Sequence, residues 1–263
     1  MSENNFVGKT HDFSKHLRID LVKQFVVFEE VSSTNAKAKD LVQEGKIEGT
    51  VVLSQIQKKG RGRFGRVWRS PEGGLYFSIL LRPKCKPEKA TLLPLLAALS
   101  VCKTITSICD LNVAIKWPND VQIDGKKVSG ILLESESNTG RLDYVILGVG
   151  INLNTDIDLL PAEFNATSIA SEIGIKLDYH VFLKKLLSKL DKYYALFNEE
   201  KYESILKEWK EHSDTIGRKV RITSSNENIC GVASDIDESG FLIVKTNAGD
   251  IKKITSGDCF YFD

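Results

Sequence analysis

The 263-residue sequence predicts an α+β protein, in which strands and helices form a main domain and a small β-barrel follows at the C-terminus. The first observation is that short β-branched segments alternate with helix-like segments through most of the chain. The second is that the composition changes at Gly217 to short strand-like pieces joined by Gly, Asn and Asp turns. The predicted organisation is an extension over residues 1–24, a main domain over 25–214 and the barrel over 215–263.

The main domain is predicted to contain six short, apolar and β-branched strands, over residues 25–31, 50–56, 74–82, 112–116, 128–134 and 142–149. The polar segment SESNTG between the last two predicts a turn. Ser33 or Thr34 caps a helix that ends at Gly45. A long apolar helix is expected over Lys89–Cys109, and helical periodicity returns over about 167–211.

The barrel is predicted from four strand-like pieces after Gly217, which read RKVRITSS, ICGVASDID, GFLIVKTN and DIKKITSG. A unit of this size buries little apolar surface by itself. We therefore expect it to dock on the main domain.

The composition is that of an ordinary globular protein, with 42% hydrophobic and 27% charged residues. A net charge of +1 argues against a surface devoted to nucleic acid. The N-terminus lacks a secretory signal pattern, and the longest apolar run, Ala90–Val101, is interrupted by Pro94 and Ser100, so no membrane span is expected. Five scattered cysteines without zinc-ligand spacing predict a reducing, cytoplasmic location.

The most informative segment is Gly60–Arg66, which reads GRGRFGR between two predicted strands. Its glycines allow main-chain N–H groups to approach a ligand closely, and its arginines suit phosphate and carboxylate. Because like charges repel, the loop is expected to stay mobile until an anion binds. The alternative is a solvated basic loop or an RNA-binding arginine-glycine segment.

A second segment, Lys116–Asp120, reads KWPND at the end of a predicted strand. Pro118 disfavours helical backbone at Trp117, so the segment predicts a turn that leaves the sheet and presents an amide and a carboxylate. Such a turn is also common for purely structural reasons.

Two further segments contain glycines and isolated polar side chains. In GKKVSGILLE over Gly125–Glu134, Lys127 begins an apolar strand, so it either points to solvent beside Lys126 or reaches an anion. In GVGIN over Gly148–Asn152, the glycines again allow close approach of the backbone to a ligand, although a glycine-rich strand end is the simpler explanation.

These four segments in this order resemble the biotin protein ligase family, whose motifs GRGRxGRxW, KWPND, GxKxxGIL and GxGIN match residues 60–68, 116–120, 125–132 and 148–152. The resemblance implies a catalytic domain of the class II synthetase type, with a mixed and largely antiparallel sheet packed by helices, and a C-terminal barrel of the SH3 type. It also implies activation of biotin by ATP as an acyl-adenylate and transfer to a lysine of a biotin carboxyl carrier protein or domain.

The resemblance assigns roles residue by residue. Biotin has an uncharged ureido ring, which hydroxyl and amide side chains suit, and a carboxylate tail, which cations suit. The implied biotin-binding residues are Ser33, Thr34, Asn35, Gln57, Gly60, Arg61, Gly62, Arg63, Lys127 and Gly130.

The implied ATP-binding residues are Arg61, Arg63, Arg66, Trp68, Lys116, Asn119 and Asn152. Core packing is the alternative for Trp68. Attack of a carboxylate on a phosphate brings two anions together, so the catalytic roles fall to Lys127, Arg63 and Asp120. Asp120 is also the expected ligand of Mg²⁺, and a general base for the acceptor lysine.

Two other functions are weighed against this one. Lipoate protein ligase shares the fold and the adenylate chemistry, but its expected Arg-Arg-x-Ser-Gly-Gly-Gly run is absent from the sequence. A nucleic-acid binder that uses the arginine loop is disfavoured by the balanced charge. About 24 polar residues precede the first strand, which is short for a winged helix, so we expect no specific DNA binding; a homodimer stays open.

Overall fold

The structure is a computed structural model that describes residues 19–138, 141–224 and 228–262. Residues 1–18, most of the predicted N-terminal extension, lie outside these ranges. The described chain contains two sheets, and helices pack on both faces of the larger one.

The larger sheet has seven strands in the order β1-β2-β3-β7-β6-β5-β4. β1 and β2 are parallel, and all other neighbours are antiparallel, which confirms the predicted mixed, largely antiparallel sheet. The strands are β1 Gln24–Val31, β2 Thr50–Gln57, β3 Leu75–Leu81, β4 Val113–Lys116, β5 Asp120–Ile123, β6 Lys126–Asn138 and β7 Arg141–Ile151.

Two features of this sheet differ from the prediction. Strand β5 was not predicted, because its four residues DVQI include two polar ones and follow a turn motif directly. The predicted turn SESNTG is wrong over residues 135–138, which continue β6 and pair with β7. Hydrogen bonding to a neighbouring strand maintains an exposed polar strand end that has no apolar periodicity.

Five α-helices accompany the described strands: α1 Thr34–Gln43, α2 Leu92–Thr106, α3 Ile169–Ile173, α4 Tyr179–Asn198 and α5 Tyr202–Glu211. The first predicted helix is confirmed, with Ser33 in extended backbone at its N-cap and Gly45 just beyond its end at φ +79°. The predicted helix over Lys89–Cys109 is α2, preceded by a 3-10 turn over Pro87–Thr91.

The stretch Pro87–Thr106 is long and apolar enough to cross a membrane, with a mean hydropathy of 1.3. No such stretch was predicted from the sequence, because the criterion applied there was an uninterrupted apolar run. Of the apolar window, 72% is buried inside the fold, and α2 packs between the sheet and helices α4 and α5. Burial in the core accounts for its composition.

The smaller sheet has five antiparallel strands in the order β11-β10-β9-β8-β12. They are β8 Lys219–Thr223, β9 Asn228–Ile236, β10 Leu242–Thr246, β11 Ile251–Ile254 and β12 Asp258–Tyr261. The predicted small C-terminal β fold is confirmed, with β12 as an additional strand. The domain boundaries proposed from the sequence stay a prediction.

The small sheet docks on the main sheet through Trp117, which is buried. Its indole Nε1 donates to Gly240 O at 3.0 Å, and its backbone N–H donates to Thr215 Oγ1 at 2.9 Å. The peptide bond between Trp117 and Pro118 is cis. The KWPND segment therefore joins the two sheets as well as leaving the first.

The two faces of the main sheet carry different amounts of apolar packing. The larger core lies between the sheet and the layer of α2, α4 and α5, and it continues into the small sheet. A separate small cluster lies under α1, formed by Phe28, Val31, Ala38, Leu41, Val52, Leu80, Tyr144 and Ile146. The face that carries α1 is thus only partly covered, and the remainder is open to a cavity.

Candidate active site

A cavity of about 600 Å³ lies beside α1 on the thinly covered face of the main sheet. It is bounded by the start of α1, by the hairpin of residues 60–68, by the ends of β4 to β7 and by residues 257–260 of the small sheet. Of the residues predicted for the site, all but one line this cavity: Ser33, Thr34, Asn35, Gln57, Arg61, Gly62, Arg63, Arg66, Trp68, Lys116, Asn119, Asp120, Lys127, Gly130 and Asn152.

The exception is Gly60, whose position is nevertheless constrained. Its carbonyl accepts a hydrogen bond from Trp68 N at 3.0 Å. A Cβ atom here would collide with Trp68 O and lie 2.7 Å from Ser70 Oγ. Gly60 closes the base of the hairpin, and any contact with a ligand would have to come from its backbone.

The cavity has a flat glycine floor on β6 and β7. Gly130 and Gly150 pair across these strands, and Gly148 lies two residues before Gly150 on the same face. A Cβ at Gly148 would collide with Asn35 Oδ1, and one at Gly150 would come within 2.5 Å of Trp68 Nε1. The glycines are required because two larger side chains lie directly on the strand backbones.

The 60–68 hairpin is folded back on itself in the structure. Gly62 N donates to Arg66 O at 2.7 Å, and Arg61 and Val67 form a β-bridge. Phe64 stands at the tip with φ +55° and an exposed ring. The segment was predicted to be an aperiodic loop, because none of these local pairs produces a periodic pattern in the sequence.

Two of the three hairpin arginines already have carboxylate partners, which the sequence did not indicate. Arg61 Nη2 donates to Glu134 Oε2 at 3.0 Å, and Arg66 forms an ion pair with Asp258 of β12. The charge repulsion expected to keep the loop mobile is therefore partly offset within the protein itself. Whether the loop moves before an anion binds stays a prediction.

Arg63 differs from the other two. Its Nη1 donates to Asn119 Oδ1 at 3.3 Å, and no ion pair to it is found within the described ranges. Burial lowers the pKa of its guanidinium, opposed by the nearby charges of Asp258 and Asp120. Arg63 is thus a largely desolvated cation that lines the cavity and lacks a direct anionic partner.

Lys127 also faces the cavity. The sequence left open whether its side chain points to solvent or reaches an anion, and in the structure it contacts a carboxylate. Its Nζ lies 2.6 Å from Asp120 Oδ1 and 5.5 Å from the centroid of the Trp68 ring. The neighbouring Lys126 instead pairs with Glu172 at 3.2 Å. We call Arg63, Arg66, Lys116, Asp120, Lys127 and Asp258 the charged cluster.

A second group of side chains is neutral and, apart from the partly buried Gln57, buried. Thr34 N donates to Gln57 Oε1 at 2.8 Å, Gln57 Nε2 donates to Ser70 Oγ at 2.8 Å, and Ser78 Oγ lies 2.8 Å from Thr34 Oγ1. Ser33, Thr34 and Asn35 are at most 4% exposed. We call Ser33, Thr34, Asn35, Gln57, Ser70 and Ser78 the neutral cluster.

Two buried polar atoms of cavity-lining residues have neither a hydrogen-bond nor an ion-pair partner among the described residues. Trp68 Nε1 is a donor without an acceptor, and Asn152 Oδ1 is an acceptor without a donor, although Asn152 Nδ2 donates to Thr167 O at 3.0 Å. Buried polar atoms are rarely left unpaired, so both are available to a ligand. The ring of Trp68 lies over the glycine floor, facing the cavity.

Several residues that build the site were missed at the level of sequence. Glu134 lies two residues beyond the cavity-lining Leu132, which ends the GxKxxGIL motif, so strand alternation offered a signal. Ser70 and Ser78 had no distinctive pattern. Asp258 is 192 residues from Arg66 in sequence, and no local pattern predicts such a contact.

Comparisons with known proteins point in one direction. A sequence profile of the biotin/lipoate A/B protein ligase family matches residues 27–152, and a profile of the biotin protein ligase C-terminal domain matches residues 215–261. Together these matches cover both sheets and the cavity between them.

Individual relatives agree with the profiles. The bifunctional ligase/repressor BirA of Bacillus subtilis is 37% identical over 246 residues, covering 92% of this chain and 75% of that protein. The biotin–[acetyl-CoA-carboxylase] ligase of Paracoccus denitrificans is 33% identical, covering 82% of this chain and 92% of that protein. The structure of a biotin protein ligase from Aquifex aeolicus in complex with biotin and ATP superposes with a TM-score of 0.78 at 33% identity, covering 91% and 99% of the two chains.

Proposed function

Because this chain belongs to the biotin protein ligase family, we infer that it is an ATP-dependent ligase that joins biotin to a protein lysine. One observation supports this most directly: a single cavity is lined by residues of all four sequence motifs, with the neutral cluster beside the charged cluster. A substrate with a neutral ring and an anionic tail, which reacts with a phosphate, requires both kinds of side chain.

In the first step, a carboxylate oxygen of biotin attacks the α-phosphorus of ATP, and the bond to pyrophosphate breaks to leave biotinyl-5'-AMP. Two anions must approach each other, so cations at that point lower the barrier. We assign this role to Lys127 and Arg63. Lys127 can exchange its contact with Asp120 for the reacting oxygens, and Arg63 is desolvated with no direct anionic partner in the described chain.

Biotin is assigned to the part of the cavity that contains the neutral cluster. Hydroxyl and amide groups there match the donors and acceptors of a ureido ring, and their burial strengthens each hydrogen bond. The proposed contacts extend from this cluster to the hairpin and the start of β6, comprising Ser33, Thr34, Asn35, Gln57, Gly60, Arg61, Gly62, Arg63, Lys127 and Gly130.

ATP is assigned to the charged cluster and to the two unpaired polar atoms near it. Trp68 offers an aromatic face for adenine, and its indole Nε1 has no partner among the described residues. The proposed ATP contacts are Arg61, Arg63, Arg66, Trp68, Lys116, Asn119 and Asn152.

Mg²⁺ fits this site as an ion carried by the ATP phosphates. Among the described residues no group of three or more His, Cys, Asp or Glu is close enough to hold a metal by itself. Mg²⁺ commonly takes one or two carboxylates together with substrate phosphates and water. Asp120 would supply a carboxylate and Asn152 a free amide oxygen, and the ion would add charge neutralisation at the phosphates.

In the second step, the amine of the acceptor lysine attacks the acyl carbonyl of the adenylate, and AMP leaves. Asp120 accepts the proton that the amine gives up, because it is the carboxylate of the KWPND turn that lines the cavity. The acceptor is proposed to be a carboxyl carrier protein. A reducing cytoplasmic location is part of the same proposal, since all five cysteines are free, and a homodimer stays a prediction.

The decisive experiment is ATP–pyrophosphate exchange with biotin and lipoate tested in parallel. We expect exchange with biotin and little with lipoate, followed by transfer of labelled biotin to a carboxyl carrier domain. Exchange with lipoate alone would identify a lipoate ligase instead. Salt-sensitive binding of nucleic acid with no response to biotin would favour the arginine loop as a nucleic-acid contact.

A further inference from the structure

One carboxylate that does not line the cavity contacts two separate parts of the site. Glu134 Oε2 accepts a hydrogen bond from Asn35 Nδ2 at 2.7 Å and from Arg61 Nη2 at 3.0 Å. Asn35 belongs to the first turn of α1, whereas Arg61 belongs to the 60–68 hairpin. Glu134 lies on β6 on the same face as Leu132, just beyond the glycine floor.

The charge of Glu134 determines the orientation of the Asn35 amide. An ionised carboxylate can only accept hydrogen bonds, so Asn35 must turn its NH₂ group towards it. The amide oxygen then faces Ser78, whose Oγ donates to Asn35 Oδ1 at 2.6 Å. Gly148 leaves the space that this arrangement requires, because a Cβ there would collide with the amide oxygen.

This orientation affects Thr34 through the single hydroxyl proton of Ser78. That proton can go to Asn35 Oδ1 at 2.6 Å or to Thr34 Oγ1 at 2.8 Å, but not to both. With the amide held by Glu134, the shorter contact to Asn35 takes it. Ser78 Oγ can then accept the Thr34 proton across their 2.8 Å contact, which leaves both lone pairs of the Thr34 oxygen able to accept from a ligand.

We propose that Glu134 is a positioning residue for biotin. Through Asn35 and Ser78 it keeps the Thr34 hydroxyl oxygen available to accept an N–H of the ureido ring. Glu134 also contacts Arg61 of the hairpin, but its proposed effect on biotin affinity passes through Asn35. The inference rests on the proposed function, because it concerns how the ureido ring is recognised.

The test compares Glu134→Gln with the matched variant Glu136→Gln. Glu136 lies two residues further along β6, where it accepts from the Tyr144 hydroxyl and lies 4.0 Å from Lys39. In Glu134→Gln, the neutral side chain can both donate and accept, so Asn35 can flip and send the Ser78 proton to Thr34. We expect the Kd for biotin to rise about tenfold in Glu134→Gln and to stay unchanged in Glu136→Gln.

Four further readouts separate positioning from a general structural role. The KM for ATP and the exchange rate at saturating biotin should change by no more than about twofold. The thermal unfolding midpoint should stay close to that of the unsubstituted protein, because the Glu134 side chain is 37% exposed. In an Asn35→Ala background, Glu134→Gln should have almost no further effect on biotin affinity, because its action passes through Asn35.

Some results would overturn the inference. One is a biotin affinity that is unchanged in Glu134→Gln, and another is a loss of biotin affinity in Glu136→Gln as large as that in Glu134→Gln. A third is a double variant of Glu134→Gln and Asn35→Ala that loses the sum of the two single losses. If the unsubstituted protein itself binds no biotin, the proposed function is wrong. That outcome is seen before any variant is compared, so it is distinct from failure of the inference about Glu134.

Discussion

The neutral and charged clusters face the same cavity but are built on different principles. The neutral cluster is held by short hydrogen bonds among residues that are almost fully buried, apart from the partly buried Gln57. The charged cluster is held by ion pairs between partly exposed side chains, such as Lys127 and Asp120, at 30% and 22% exposure. The first is complete before a ligand arrives, whereas the second contains cations whose present partners a phosphate can replace.

This difference indicates how one site can serve two ligands of opposite character. A preformed hydrogen-bond array discriminates by shape and by the placement of donors and acceptors. Replaceable ion pairs hold the cations of the charged cluster beside one another until a phosphate, which carries more negative charge than one carboxylate, takes the place of their present partners. Each cluster should therefore respond to its own set of changes, and the charged cluster should show the largest response.

The largest effect should come from Lys127→Ala in the charged cluster. Its ammonium group is proposed to meet the reacting carboxylate and phosphate, and a comparable charge-stabilising contact contributes on the order of a hundredfold or more to a rate. Pyrophosphate exchange should fall by that factor while the variant stays folded. The matched control is Lys126→Ala, which removes a charge paired with Glu172 outside the cavity and should leave exchange unchanged. If Lys127→Ala exchanges pyrophosphate at the wild-type rate, Lys127 takes no part in the catalytic step.

Displacing one side chain of the neutral cluster should weaken biotin binding without weakening ATP binding. In Gly148→Ala, the new methyl group displaces the Asn35 amide, which then loses its hydrogen bonds to Ser78 and Glu134. We expect biotin affinity to fall about tenfold or more, with ATP affinity nearly unchanged. An equal loss for both ligands, measured by calorimetry, would show that the clusters are not independent.

Arg63→Gly should weaken retention of the intermediate more than its formation. Arg63 comes from the hairpin that bounds the cavity and has no direct anionic partner among the described residues, so the phosphate of the adenylate is its expected counter-charge. Biotinyl-5'-AMP should dissociate about tenfold faster and label lysines of bystander proteins. The control is Arg82→Gly, at an exposed arginine outside the cavity, and equal dissociation rates for both variants would mean that Arg63 does not retain the adenylate.

The smallest expected effect is that of salt concentration, which should weaken ATP binding more than biotin binding. Ion pairs at partly exposed positions are screened as the Debye length shortens, whereas buried neutral hydrogen bonds are not. Between about 0.05 M and 0.5 M salt, the KM for ATP should rise a few-fold while biotin affinity changes little. The reverse pattern in parallel titrations would contradict the division into two clusters.

The sequence predicted more of the charged cluster than of the neutral cluster. Lys127, Arg63 and Asp120 belong to compact motifs in which glycines, prolines and lone charges stand out from their surroundings. Thr34 and Gln57 were assigned only through the family resemblance, and their partners Ser70 and Ser78 were missed. A serine on a strand has no sequence signal that separates a surface hydroxyl from one buried in a hydrogen-bond network.

The sequence by itself determined the α+β class, most of the strands and the four motifs around the cavity, because apolar periodicity and unusual backbone requirements are local properties. Only the tertiary structure decided that Glu134 and Asp258 pair with two of the hairpin arginines, Arg61 and Arg66, and that Lys127 faces Asp120 rather than solvent. These contacts join residues up to 192 positions apart. The pairing of charges across such distances depends on how sheets and hairpin pack, and packing is not a property of any one segment.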